Sequence, residues 1–139
     1  MTDPVPPRNS AMAVAASALK AQQSRMRVIA ENIANAQSTA AVAGGQPYRR
    51  QVPVFQAREI DGATGVTLAE VRPDQSDFRS EYDPSHPAAN AEGYVLRPNV
   101  DTLVEAMDMR EAQRAYEANL NVIETARSMD MRTLDLLKK

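Results

Sequence analysis

Few residues in this chain carry chemistry. The only histidine, His86, sits in "EYDPSHP" beside Glu81 and Asp83, a set that could in principle ligate a metal or move a proton. A metal centre normally needs three or four convergent ligands, whereas Asp-Pro and His-Pro pairs are ordinary turn formers. Asp74, Asp77, Glu81 and Asp83 lack the alternate-residue spacing, the turn glycine and the closing glutamate of a calcium loop. There is no cysteine, hence no thiolate nucleophile, and neither a glycine-rich phosphate loop nor a nucleophile elbow is present. A metal-dependent enzyme working through His86 is the weakest reading of the chain. No catalytic, cofactor-binding or metal-ligating residue is assigned.

Three asparagines are more informative. Asn32, Asn35 and Asn119 fall in or beside helical stripes where apolar residues are expected. A polar residue on such a seam costs stability but fixes register, because a buried amide must find a partner. The elements that must hold them follow from periodicity. Met12, Ala15, Leu19, Gln22, Met26, Ile29, Ile33 and Ala36 are spaced three and four apart, one seam of a long helix. Residues 11–37 contain neither Gly nor Pro; Asn9 or Ser10 is a candidate N-cap, and residues 1–10, rich in proline, read as irregular. A second seam runs through Ala112, Ala115, Asn119, Val122, Ala126, Met129 and Leu136, widened by Tyr116 and Ile123, in a Gly- and Pro-free stretch from 99 to 139 that Asn99 or Asp101 can cap.

Between the helices all five glycines and most prolines are concentrated. "YRRQVPVFQARE" and "GVTLAEV" read as short strands around the turn "DGATG", "YVL" as another strand, and residues 74–93 as extended, turn-rich chain. Pro53 marks its strand as an edge or an interruption. The plan is mainly α with a small β-rich insert: a unit over 1–38, an insert over 39–98, and a helix over 99–139. The terminal helices pair as an antiparallel-type coiled coil into a single structural unit.

Composition sets the remaining bounds. Hydrophobic residues make up 43% of the 139 but aromatics only 4%. A core built largely from Ala is thin, since burial is worth about 25 cal/mol per Å²; partner subunits are the expected source of further burial. The formal charge of −2 gives no basic face for nucleic acid. The first residues lack the basic and apolar regions of a cleaved signal, and no apolar run reaches membrane-spanning length. Met26, Met107, Met109, Met129 and Met131 suit either core filling or an adaptable partner surface. Arg49, Arg50, Arg58, Arg72 and Arg79, set among acids, read as a solvated face.

"ALKAQQSRMRVIAENIANAQST" (18–39) resembles the N-terminal signature of the bacterial flagellar axial proteins of the rod, hook and hook-associated family. "DPSHPAANAEGYVLRPNVD" (83–101), "EAMDMREAQRAYEANLNVIETARSM" (105–129) and "PYRRQVPVF" (47–55) narrow the resemblance to proximal rod members. It implies a structural subunit, exported unfolded through the flagellar type III apparatus without signal cleavage, that polymerises around the rod axis in the periplasmic space to form a torque-transmitting shaft for motility. The terminal helices would then form a helical tubular wall, ordering on assembly. Implied partners are further copies, other proximal rod proteins, distal rod proteins, the hook–basal-body adaptor and the export gate. Expected contact residues are Leu19, Met26, Ile29, Asn32, Ile33, Asn35, Ala112, Tyr116, Asn119, Ile123, Ala126 and Met129. The rival reading of the same seams is a generic helical coiled-coil adaptor.

Overall fold

A computed structural model describes residues 8–138. Two helices carry the architecture: α1, Arg8–Ala34, and α2, Thr102–Leu137. Between them lie two antiparallel ladders, β1 (Gln51–Ile60) with β2 (Ala63–Pro73), and β3 (Arg79–Tyr82) with β4 (Tyr94–Arg97). Helix, β-rich insert, helix is the plan expected from the sequence. α1 starts earlier than the periodicity suggests, so Asn9 and Ser10 lie inside it and neither is its N-cap. Ser10 is fully buried and its hydroxyl donates to the Asp61 carbonyl at 2.7 Å, tying the helix to the hairpin turn. The expectation of irregular chain at residues 1–7 lies outside the described residues.

α2 starts where its cap dictates. Asp101, in extended backbone, accepts from the Leu103 and Val104 amides and satisfies two of the unpaired donors of the first turn. Of the two cap candidates Asp101 fills the role, and Asn99 is used elsewhere. The helices run antiparallel: Arg25 bridges Glu111 at 3.6 Å, while the C-terminal end of α1 lies by the N-terminal end of α2. At 1.5 Å per residue α1 is about 40 Å long and α2 about 54 Å. The longer helix therefore outruns the shorter.

The β1–β2 hairpin closes through only Asp61 and Gly62, with φ of 49° and 81°. Two left-handed residues in succession give the turn whose twist matches paired strands, which is why Asp-Gly suits it. Ala63 and Thr64, read from sequence as part of the turn, belong to β2. The ladder runs from Gln51↔Pro73 to Ile60↔Ala63 with one irregularity at Val54/Phe55, close to Pro53. Gly65 is buried where the hairpin meets α1. A Cβ there would stand 2.8 Å from the Ser17 hydroxyl, which accepts the Val66 amide at 3.2 Å.

The stretch 74–93, expected to be extended, turn-rich chain held by its neighbours, contains β3. Its residues are exposed, so no burial alternation marks it. It forms because β4 is alongside, with Tyr82 and Tyr94 directly opposed as an edge-on ring pair at 5.3 Å. Buried apolar residues are small: Ala15, Ala21, Val28, Ile29, Ala36, Ala88, Val95, Val100 and Ala112. α1 is covered twice, by α2 and by the hairpin. For that reason Ala21 and Val28 are buried beside the expected Ala15 and Ile29, whereas Ile33 is 37% exposed.

Candidate functional site: a polar lock and an open helix face

The best-ordered chemistry in the molecule is structural. Asn32, on α1, is 1% exposed. Its Nδ2 donates to the Gln51 carbonyl at 2.9 Å and its Oδ1 accepts both the Gln51 amide, at 2.9 Å, and the Tyr48 hydroxyl, at 2.7 Å. The side-chain amide thus exchanges both backbone bonds with Gln51, as a residue of an antiparallel strand would. It fixes the start of β1 against α1. Burial, followed by the negative charges of Glu31 and Glu105, raises the Tyr48 pKa above that of an ordinary phenol, which keeps the donor protonated.

One residue before Gln51, Arg50 reaches into α2. Its Nε donates to Glu105 Oε1, Nη1 to Asp74 at 3.1 Å, and Nη2 approaches Asp108 at 4.0 Å. Glu105 is 1% exposed, and its second oxygen has no hydrogen-bond partner among the described residues. Desolvation opposes the charge on Arg50, but the bonds to Glu105 and Asp74 outweigh it, and its pKa rises. Asp74 moves below the usual carboxylate range, chiefly because the Ser76 amide bonds to it, against an opposing desolvation cost and with help from Ser76 and Arg50. Asn99 completes the knot. It accepts the Arg50 amide at 2.7 Å and donates to the Asp74 and Ser76 carbonyls.

The reading of the arginines as a solvated face holds for Arg58, Arg72 and Arg79, which are exposed, and is corrected for Arg49 and Arg50, which are half-buried. Arg49 lies 4.1 Å from the Phe78 ring centroid and donates to the Asp74 carbonyl at 2.7 Å; Arg79 donates to the Pro98 carbonyl, and Arg72 pairs with Glu70. Among the described residues only Arg58 of the five makes no such bond. Glu105 was missed, yet a signal existed: it lies one heptad before Ala112, on the same stripe of α2.

The expected contact residues divide in two. Ile29, Asn32 and Ala112 are buried within the subunit, and Asn32 has its bonds satisfied there. Leu19, Met26, Tyr116, Ile123 and Ala126 are half-buried. Asn35 and Asn119 are half-buried as well, and each donates to its own helix, to the Glu31 and Ala115 carbonyls at 2.8 Å. Neither bridges the two helices within the subunit. Ile33 and Met129 are exposed. The seam read on α2 therefore splits: Ala112, Tyr116 and Ile123 turn inward, while Val122, Met129 and Leu136 are 50%, 50% and 74% exposed. These last three recur every seven residues and form one open apolar line. His86 serves its turn: Nδ1 accepts the Ala88 amide at 3.0 Å. Among the described residues no group of three or more His, Cys, Asp or Glu side chains could hold a metal ion, and no helix is long and apolar enough to cross a membrane.

Two family profiles match the chain: Flagella basal body rod protein, over residues 12–40, and Flagellar basal body rod FlgEFG protein C-terminal, over residues 91–136. Those spans cover most of α1 and α2. Similar proteins, each named flagellar basal-body rod protein FlgC, occur in Agrobacterium fabrum (46% identical over 135 residues, 95% of this chain and 96% of that one) and Escherichia coli O6:H1 (43% over 125 residues, 88% and 92%). A third, from Bacillus subtilis, is 39% identical over 142 residues, covering 90% of this chain and 95% of its own. Relatives of this similarity match nearly end to end and are named for a structural part of the basal body, not for a reaction; the chain belongs to the FlgC family of flagellar basal-body rod proteins.

Proposed function

We propose that the chain is a structural subunit of the proximal rod, polymerising with its α1–α2 pair in the wall of a helical, coiled-coil-like tube that transmits torque for motility. The observation that carries this reading is the open apolar line of α2. A helix about 54 Å long that exposes Val122, Met129 and Leu136 has burial still to gain, at about 25 cal/mol per Å². The reading takes residues 1–38 and 99–139 as the assembling unit and 39–98 as an insert that sets its shape. Neighbours would be further copies, the other proximal rod proteins, distal rod proteins, the hook–basal-body adaptor and the export gate. The subunit would reach them in the periplasmic space after export without signal cleavage. Each copy meets the next through unlike surfaces, and such contacts propagate as a helix of subunits.

The polar lock supports this by holding the insert and the near end of α2 in one piece before assembly. The distal half of α2 has little to pack on in the single chain, so its helix should firm up only in the rod. The experiment is complementation of a strain lacking the subunit with Val122→Asn plus Met129→Asn. Loss of motility and of complete rods, with the purified variant as stable as the parent, is expected. Normal swimming would overturn the reading. The same strain tests the remaining duties: His86→Ala should swim normally, and an isolated chain showing both helices fully formed in circular dichroism would speak against assembly-coupled ordering.

A further inference from the structure

We propose that the outer edge of β1, from Phe55 to Glu59, takes up β3 of a second copy of the chain as an added antiparallel strand, a contact that rests on the rod-subunit reading and names one of its surfaces. The hairpin's own bonds tell which groups are open. Val66 gives its amide to the Ser17 hydroxyl of α1 at 3.2 Å, so that amide points away from β1. Opposed residues of an antiparallel ladder alternate between pairs that exchange bonds and pairs that do not. Val66 faces Ala57, so Ala57 turns its amide and carbonyl outward, as do Phe55 and Glu59 opposite Leu68 and Thr64. Elsewhere the edges are closed. Asn32 occupies the outward groups of Gln51, and Pro53 has no amide. On β2, Ser17 takes Val66, the register breaks opposite Val54/Phe55, and Pro73 ends the strand. Such devices ordinarily keep a sheet edge from pairing with another chain. Phe55, Ala57 and Glu59 lack them, and Gln56 to Glu59 are all exposed.

β3 offers the matching edge. It is exposed along its whole length. The Asp83 amide bonds the Gly93 carbonyl at 3.0 Å, so by the same alternation Tyr82 and Ser80, opposite Tyr94 and Leu96, turn their backbone groups away from β4. These residues can meet the open ones of β1 in either of two antiparallel registers, and charge selects between them. With Ala57 opposite Tyr82 and Glu59 opposite Ser80, Arg58 faces Glu81. With Phe55 opposite Tyr82 and Ala57 opposite Ser80, Arg58 faces Arg79. Opposite charges across a ladder stabilise it and like charges weaken it. Arg58 makes no ion pair among the described residues. Glu81, with its side chain 58% exposed, gives one oxygen to Arg97 at 2.9 Å, so the first register seats it between two cations. The contact cannot form within one copy. Ser10 and Ser17 hold the turn end of the hairpin to the first half of α1, whereas Arg97, on β4, bonds the Gln37 carbonyl beyond its last turn; α1 rises about 26 Å between Ser17 and Ala34. The two edges are different surfaces, so the pairing repeats from copy to copy without closing on itself.

The chain has no cysteine, so two introduced thiols report the contact cleanly. Residues opposed in a bonded pair stand about 5.5 Å apart at Cα, within reach of a disulfide. In basal bodies carrying Glu59→Cys and Ser80→Cys, oxidation should link one copy to the next. Ala57→Cys with Ser80→Cys reports the other register and should link about tenfold less, because those residues would lie diagonally, about 7–8 Å apart. Ala57→Pro, added to the first pair, removes an amide the hairpin does not use and should abolish the link. Arg58→Glu leaves the backbone untouched, which keeps the test decisive if proline disturbs the hairpin; it should reduce the link severalfold, and Glu81→Arg added to it should recover the link. The proposal is overturned if basal bodies contain the chain and Glu59→Cys with Ser80→Cys gives no link, if both cysteine pairs link equally, or if Ala57→Pro and Arg58→Glu leave the link unchanged. A disulfide within single copies of the dilute purified chain would equally overturn it, since the two edges would then meet inside one subunit. Absence of the parent chain from basal bodies would remove the rod-subunit reading itself, and this contact with it.

Discussion

The two ends of α2 have opposite chemistry. Near its start, Glu105 is buried and held by Arg50, which also meets Asp74 and Asp108 and gives its amide to Asn99, while Asn32 beside them bonds Gln51 and Tyr48 of its own subunit. Toward its end, Val122, Met129, Leu136 and Leu137 are half or more exposed, and the Thr133 hydroxyl donates to the Met129 carbonyl of its own helix. Directional polar groups specify one arrangement, so they belong where the subunit must hold its own shape. Apolar surface is less selective and remains where another chain has to be met. One helix thus divides the work of folding from the work of joining.

That division can be broken at its polar end first. Glu105→Ala removes the acid from a buried pair and leaves Arg50 three-quarters covered without its main partner; a loss of about 3 kcal/mol is expected in urea unfolding, below the upper range for fully buried pairs because Arg50 retains solvent and Asp74. Asn32→Leu should cost slightly less, about 2–3 kcal/mol, since it strands the Gln51 amide and carbonyl, although Tyr48 can turn to water. Asp101→Ala should cost about 1 kcal/mol by leaving the first turn of α2 uncapped, visible as earlier fraying in hydrogen exchange of residues 103–105.

Acid gives a milder version of the same break. The pKa of Asp74 is lower folded than unfolded, so its contribution is fully present above the unfolded value near 4 and is lost as pH falls through the folded one. Melting temperature should therefore fall below about pH 4, and Asp74→Asn should flatten that limb. The smallest effect on the single chain sharpens the contrast most. Asn119→Leu removes only a bond to its own helix and improves helix propensity by a few tenths of a kcal/mol; the purified chain should be as stable or slightly more so, and any loss of swimming would then assign Asn119 a duty between subunits.

Much of this organisation was legible beforehand, for identifiable reasons. Both helices announce themselves through three-four spacing and freedom from Gly and Pro, and Asp61-Gly62 allows little besides a tight hairpin. What was hidden depends on partners distant along the chain. β3 has no pattern of its own because "RSEY" is exposed throughout and exists by virtue of β4. Arg50 reads as one more surface cation until Glu105, 55 residues later, is placed beside it. Asn32 was recognised as a register residue, but the element it registers is β1 of its own chain. The seam of α2 reads as one stripe from sequence; its rotation divides it, with Ala112, Tyr116 and Ile123 turned inward and Val122, Met129 and Leu136 exposed.

The loops closed by these contacts also order events in time. Asn32 meets Gln51 across 19 residues, whereas Arg50 meets Glu105 across 55. By chain statistics the longer closure costs about 1 kcal/mol more. The hairpin is therefore expected to settle on α1 first, which carries Arg50 into position, and α2 to dock last onto a surface already formed. In that sequence the helix that must find a neighbour is also the last to commit to its own chain.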